Sequence, residues 1–386
     1  MRTQDFNSLV VGAGLAGIGA AILLQQSGQS VTLVEARSRQ AVISEGVFMT
    51  LAPNGMNALK ALGVYETVLA AGIVTVGIEL LNGKGKRLAL VRQGHYEKAF
   101  GAPSCTIVRG QLVDILLQRA IELGVNLRFE TRLTGLAGGD VSFDVLPAER
   151  YDLIVGADGI RSTVRDLVFA DAPKPCFTGQ IGTGGFVAAD VGDTKGVMRM
   201  TFGDRAFFGY IAVPGKPVYW FNSFLAGPDW KKPDGGLFAR QLLLMHADDP
   251  RPNADILMQV EHVDHAYPIF KLPRLPRWSS RYAILIGDAA HAIGPHAGQG
   301  GSLALEDAVV LADCLAKAPD VTAAFRAYEY KRRGRIDKIA KMTARRGATK
   351  ELNGWLSRLV RDLLIRIFVP LSTTAAEKPL GFKLTR

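Results

Sequence analysis

Residues 8–35, SLVVGAGLAGIGAAILLQQSGQSVTLVE, pass from an apolar strand through a glycine turn into a helix and out into a second strand. Leu9–Val11 form the first strand and Val31–Val34 the second. Ala20, Ala21, Leu23 and Leu24 give the helix its apolar side, and Gly28 ends it. Between strand and helix stands Gly12-Ala13-Gly14-Leu15-Ala16-Gly17. A GxGxxG in that setting has a physical reading. Gly12 allows a tight turn, Gly14 lets bare backbone approach a pyrophosphate, and Gly17 lets the helix pack on the strand. The helix N-terminus adds free N–H groups and a partial positive charge. Glu35, at the end of the second strand, is placed to accept hydrogen bonds from ribose hydroxyls. A carboxylate there suits an unphosphorylated adenosine ribose, so this site favours FAD or NAD over NADP.

Composition bounds the rest. A chain of 386 residues, 48% hydrophobic, has material for two domains, or for one large domain with an inserted layer. The net charge of +10 is unevenly placed: between Arg326 and Arg366 there are thirteen Lys/Arg against four Asp/Glu. The remainder is close to neutral, as in an enzyme acting on small molecules, and no nucleic-acid recognition pattern accompanies the basic segment. Cys105, Cys176 and Cys314 lack metal or disulfide spacing, which points to a reducing compartment and to no metal site. No signal peptide is apparent at the N-terminus, and no apolar run approaches the roughly 18 residues of a membrane span. A cytoplasmic protein is expected.

Two further strand-to-turn-to-helix units follow. Residues 151–165, YDLIVGADGIRSTVR, place Asp158-Gly159 after a buried strand, with Ser162-Thr163 suited to capping the next helix. Tyr282–Ile286 lead into Gly287-Asp288, a loop rich in glycine, and a helix from about Gly301. With GxGxxG, "DG" and "GD" in this order, the chain resembles the para-hydroxybenzoate hydroxylase family of class A flavin monooxygenases. The segments GVFMTLAPNGMNALKALGV (46–64), VRGQLVDIL (108–116), FGDRAFFGYIAVPGKPVYWF (202–221) and YEYKRRGR (328–335) add to the likeness.

The resemblance implies a Rossmann-like α/β FAD-binding domain with an inserted mixed or antiparallel β-sheet and C-terminal helices. The expected partition is a discontinuous FAD-binding domain at 1–75, 101–170 and 275–345, a substrate-binding sheet domain at 76–100 and 171–274, and a helical segment at 346–386. It implies that Gly12, Gly14, Leu15, Ala16, Gly17, Glu35, Ala36 and Arg37 hold the ADP half of FAD. Arg109 would contact the phosphate–ribityl portion, the alternative being a surface arginine at a helix start. Asp288, with Gly287, would meet a ribityl or ribose hydroxyl. Asp158 and Gly159 would organise the pyrophosphate region and touch the path of the nicotinamide donor. Gly46 and Val47 would pass the flavin ring. Where the family has Asn after its glycine pair this chain has Gly300-Gly301-Ser302, and Phe48-Met49 replace smaller residues.

The implied reaction takes hydride from NAD(P)H, captures O2 as a flavin C4a-hydroperoxide and hydroxylates an aromatic or polycyclic substrate. Epoxidation, oxygen insertion beside ketones, antibiotic modification, a related reductase and a non-catalytic flavoprotein are the alternatives on the same scaffold. Gly298, Gln299, Gly300 and Gly301 would bring backbone and a helix dipole to the ring, where reduction places negative charge. The Pro295 carbonyl would face the substrate. His296 and Tyr210 are candidate bases; for a lone histidine, a plain loop role competes. His291 is placed beside the cofactor.

Residues 171–274 alternate apolar and polar side chains, the pattern of an antiparallel sheet. Phe202, Phe207, Phe208, Tyr210, Tyr219, Trp220, Phe221 and Phe224 concentrate there, and alternate ones are expected to line an aromatic pocket. Arg205 is either a surface residue or an anchor for an anionic substrate. Trp355, Leu356, Leu359, Val360, Leu363, Leu364, Ile367 and Phe368 form one stripe of a basic amphipathic helix. The leading expectation packs that stripe on the flavin domain. A weak contact of the 355–368 helix with an anionic membrane surface, and a partner or dimer surface, are the other readings. A monomer or homodimer is expected.

Overall fold

The computed structural model describes residues 6–294, 298–348 and 354–382. Five parallel strands make its first sheet, in the order Ala283–Leu285, Leu153–Gly156, Asn7–Val11, Ser30–Val34, Asn126–Arg128. These strands are short Val/Ile/Leu runs because helices cover both faces of a parallel sheet. The helix Leu15–Gln26 is buried from Leu15 through Leu24 and packs against the helices Arg109–Glu122 and Gly300–Lys317. The three glycine-turn units therefore end on one edge, where the parallel strands deliver their C-termini.

The second large sheet has seven strands, in the order Tyr267–Lys271, Cys176–Val187, Val218–Leu225, Phe207–Ile211, Val197–Phe202, Gly77–Asn82, Arg87–Arg92. It is mixed: Val197–Phe202 runs parallel to Gly77–Asn82, while the other pairs are antiparallel. A three-stranded sheet, Phe48–Leu51, Ser104–Val108 and Ile73–Thr75, stands between the two large ones.

Alternation sorts the aromatic side chains into two sets. Phe208, Tyr210, Trp220 and Phe224 pack under the helices Gly235–Met245 and Asn253–Met258, two elements absent from the sequence expectation. Phe207, Tyr219 and Phe221 point the opposite way, toward Phe48 of the intervening sheet. Tyr210 is thereby corrected. It is fully buried on the helix-covered face, and its hydroxyl accepts from the Arg199 guanidinium at 3.2 Å.

The C-terminal helix Trp355–Glu377 also departs from expectation. It lies along the edge strand Arg87–Arg92 of the seven-stranded sheet, and it turns Ile365 and Val369 inward toward Leu88, Phe202 and Phe207. Leu359, Val360, Leu363, Leu364, Ile367 and Phe368 face solvent. The helix is held through polar groups instead: Arg361 lies over the Phe202 ring, the Asn82 amide donates to Asp362 at 2.9 Å, and Arg358 pairs with Asp204. Among the described residues no helix is long and apolar enough to cross a membrane.

Candidate active site

The glycine turn is built by close packing at two of its glycines and openness at the third. Gly12 has φ +104°, and a Cβ there would sit 2.5 Å from the Ala157 carbonyl oxygen. A Cβ on Gly17 would overlap the Gly12 carbonyl oxygen. A Cβ on Gly14 would meet no protein atom within 4 Å, although Gly14 is the N-cap of the twelve-residue helix. The described protein therefore leaves the space beside this bare backbone free for a ligand. Glu35 is buried at the end of its strand and accepts from the Ala13 N–H at 3.0 Å and from the Arg37 backbone and side chain, each at 3.0 Å. Burial raises its pKa, but those donors and the Arg37 charge outweigh it, so the carboxyl lies below its ordinary value. Arg37 also pairs with Glu45 at 2.8 Å, tying the end of the second strand to the loop before Gly46.

Around that loop, the Arg109 guanidinium donates to the Glu45 carbonyl at 3.0 Å, and its own N–H bonds the Val47 carbonyl at 3.0 Å. Gly46, with φ +80°, lies so close to the Arg109 chain that a Cβ would stand 2.7 Å from Cδ. The Gly46 N–H donates to the Tyr267 hydroxyl at 3.1 Å, a partner from the far sheet with no motif to announce it.

Asp158 turns its carboxylate inward. It accepts from the Ser162 hydroxyl at 2.5 Å and from the Val164 N–H at 3.0 Å, fixing the start of the helix Thr163–Val168. Burial pushes its pKa up against these bonds. The buried Arg165 bridges this turn to the next by donating to the Ile160 and Ala289 carbonyls. Gly287 takes φ +58° and lies where a Cβ would stand 2.9 Å from the Ala16 methyl, so the two turns touch. Asp288 is different in kind. Solvent reaches its side chain at the floor of the cleft, and it makes no hydrogen bond among the described residues.

Behind the glycine loop lies a buried charged network. Asp307 accepts from the Gly287 N–H at 2.8 Å, meets the His291 ring nitrogen at 2.5 Å, and accepts from the Arg332 guanidinium at 2.6 Å. Burial raises the Asp307 pKa, but the His291 and Arg332 charges hold it well below the carboxylate range. Arg332 and Arg335 both pair with Glu306, whose carboxylate also accepts from the Asn54 amide at 2.7 Å; Asn54 donates as well to the Gln299 side chain at 3.1 Å. His291 is thus committed to the network. Pro295 and His296 lie outside the described residues. At the entrance of the helix Gly300–Lys317, Gly298 and Gly300 have no atom of the described residues within 4 Å of a Cβ position, whereas one on Gly301 would overlap the Met49 side chain.

Facing this edge is an apolar wall. Phe48 packs against Tyr219 at 5.3 Å, Phe221 at 6.1 Å and Phe186 at 6.2 Å between ring centroids, with Ile73, Met198 and Ile211 beside them. Arg205 is spent on the Leu244 carbonyl and Asp248 at the surface, away from this wall. Among the described residues, openness at Gly14, Gly298 and Gly300, helix N-termini at both ends of the site, and an Asp288 with no hydrogen bond fit an elongated anionic cofactor such as FAD.

Comparison with known proteins agrees. The model of the FAD binding domain matches residues 5–189 and 269–343. The chain is 30% identical over 378 residues to the aurachin C monooxygenase/isomerase of Stigmatella aurantiaca, covering 93% of each. It is 27% identical over 350 residues to the 2-heptyl-3-hydroxy-4(1H)-quinolone synthase of Mycobacteroides abscessus, covering 85% of this chain and 86% of the other. Its fold superposes on Klebsiella pneumoniae HpxO complexed with FAD and uric acid with a TM-score of 0.86 at 21% identity, covering 98% of both chains. The chain belongs to the FAD-dependent class A flavoprotein monooxygenases.

Proposed function

We propose that this enzyme hydroxylates a lipophilic, planar aromatic or polycyclic molecule, with the quinolone-like bicycles bearing an alkyl tail as the leading substrate class. The observation that carries this is the wall of Phe48, Phe186, Tyr219 and Phe221, backed by Ile73, Met198 and Ile211, which offers face and edge contacts to a flat ring. The relative named for a 2-heptyl quinolone supports the same class.

Bound FAD supplies the redox centre that accepts hydride from NAD(P)H and reacts with O2. The chain's own residues bind, orient and screen. Gly12, Gly14, Leu15, Ala16 and Gly17 would cradle the pyrophosphate, Glu35 with Ala36 and Arg37 the adenosine end, and Asp288 with Gly287 and Arg109 the sugar chain between. Asp158 and Gly159 shape the turn beside them. Gly46 and Val47 would pass the ring, and the helix behind Gly298, Gln299, Gly300 and Gly301 would set its positive end against the negative charge that reduction creates. The aromatic wall excludes water from the reacting carbon. Tyr219 is a phenol on that wall, neutral at pH 7 as any tyrosine is and moved further from ionisation by burial, and it can donate to a substrate oxygen.

We place the enzyme in the cytoplasm on the strength of its three unpaired cysteines, two of them buried, which suit a reducing compartment, and take a monomer or homodimer as its state. The test is a screen of alkylated quinolones and simpler phenols, following NADH or NADPH oxidation together with O2 uptake. Turnover of the alkylated bicycles at lower KM than the phenols supports the reading. Selective turnover of small carboxylated phenols contradicts it.

A further inference from the structure

We infer that the outer face of the helix Trp355–Glu377 docks on an anionic lipid surface, and that it sets the enzyme there with its substrate wall next to the bilayer. Leu359, Val360, Leu363, Leu364, Ile367 and Phe368 are 41–59% exposed and recur in pairs four residues apart, so they make one continuous apolar stripe. The helix cannot turn this stripe inward. Arg361, only 4% exposed, is held over Phe202 and Asp362 is bonded to Asn82, while Ile365 fills the space above Leu88 and Ala89.

Charge selects the occupant. The strand beneath the helix and its hairpin carry Lys84, Lys86 and Arg92 exposed, with Arg87 exposed and paired to Glu79 at 3.6 Å, while the acidic groups on and against the helix, Asp204, Asp362 and Glu377, already meet Arg358, Arg361 and His95. A second copy docked stripe to stripe by a two-fold axis would bring these cations near their duplicates. Anionic phospholipid headgroups would instead meet them while the stripe enters the acyl boundary.

The inner face of the same helix joins the substrate wall. Ile365 and Val369 pack in a cluster containing Phe207, Met200 and Phe221, and Met200 and Phe221 also belong to the cluster around Tyr219 and Phe48. One layer of apolar side chains thus runs from the lipid-facing helix to the wall proposed to hold the substrate. Delivery of a membrane-dissolved substrate rests on that proposal; docking itself does not.

The test uses full-length holoprotein and vesicles of phosphatidylcholine alone or with phosphatidylglycerol, separated by flotation. Binding should require phosphatidylglycerol and fall with added salt. Leu363→Glu with Phe368→Glu should lower the bound fraction at least tenfold, and so should Lys84→Glu with Lys86→Glu, with FAD absorbance and melting temperature unchanged. Equal binding by the variants, no binding by the parent, or a parent dimer in light scattering that Leu363→Glu with Phe368→Glu breaks would each overturn docking on lipid. Turnover of a dissolved substrate, measured without vesicles, reports separately on the proposed reaction.

Discussion

Gly14→Ala separates the cofactor's requirement from the fold's. The backbone of Gly14 has φ −84° and ψ 179°, a conformation any residue adopts, and the added methyl would meet no protein atom within 4 Å. Restricting the unfolded chain at a compatible position stabilises by about 0.4–1 kcal/mol, and the poorer capping of the helix by alanine at this N-cap costs about as much. Without FAD the variant should therefore melt within roughly a degree of the parent. With FAD the methyl stands where the pyrophosphate approaches. Displacing one charge-assisted hydrogen bond costs about 1.5–3 kcal/mol, or roughly 10- to 150-fold in affinity. Titrating deflavinated protein with FAD by fluorescence quenching, alongside a melting curve, measures both. Gly17→Ala is the contrast, since its methyl would overlap the Gly12 carbonyl and should lower the melting temperature even without FAD. A Gly14→Ala protein that binds FAD like the parent, or that melts well below it when deflavinated, refutes the reasoning.

Other substitutions test other parts. Asp288→Ala, which removes a carboxylate with no protein partner among the described residues, should weaken FAD binding about tenfold or more and leave the deflavinated melt unchanged, as read by titration and calorimetry. Arg332→Met strands the buried Glu306 and Asp307, a loss of about 3–5 kcal/mol that should appear as a fall of roughly 4–6 °C in melting temperature. Tyr210→Phe should leave kcat and KM within about twofold, whereas Tyr219→Phe should raise KM up to about tenfold, by steady-state kinetics. Asp307 and Glu35 both titrate below their ordinary values of 3.8 and 4.5 when folded, so the folded chain binds fewer protons there than the unfolded one. Their stabilisation should be complete above those ordinary values and lost as pH falls from them through the lower values of the folded state. Asp307→Asn should flatten that acid limb in urea melts taken from pH 6 downward.

The parallel sheet and its three turns were legible because each is a local event, encoded by strand, glycine and helix within about thirty residues. The residues that organise those turns were not. Arg332 meets Asp307 across 25 residues and Tyr267 meets Gly46 across 221, and neither pair leaves a periodic trace. Charge inside the apolar run LALEDAVVLA was the available signal, since Glu306 and Asp307 there demand buried partners and Arg332 and Arg335 lie at helical spacing. The face of Tyr210 was set by strand register, which alternation alone leaves ambiguous by one residue. Likewise the stripe on the C-terminal helix was correctly seen as a stripe but assigned inward. The helix instead buries Ile365 together with Arg361 stacked on Phe202, an arrangement that hydropathy reads as the outside.

The most direct measurement of the central claim is single-turnover reaction of the FAD-loaded enzyme with an alkylated quinolone, NAD(P)H and ¹⁸O2, followed by mass spectrometry. The account predicts a product carrying one ¹⁸O atom, formed with one NAD(P)H consumed and one O2 taken up. A product with no label, or NAD(P)H oxidation for every planar aromatic tried that yields only hydrogen peroxide, would contradict it.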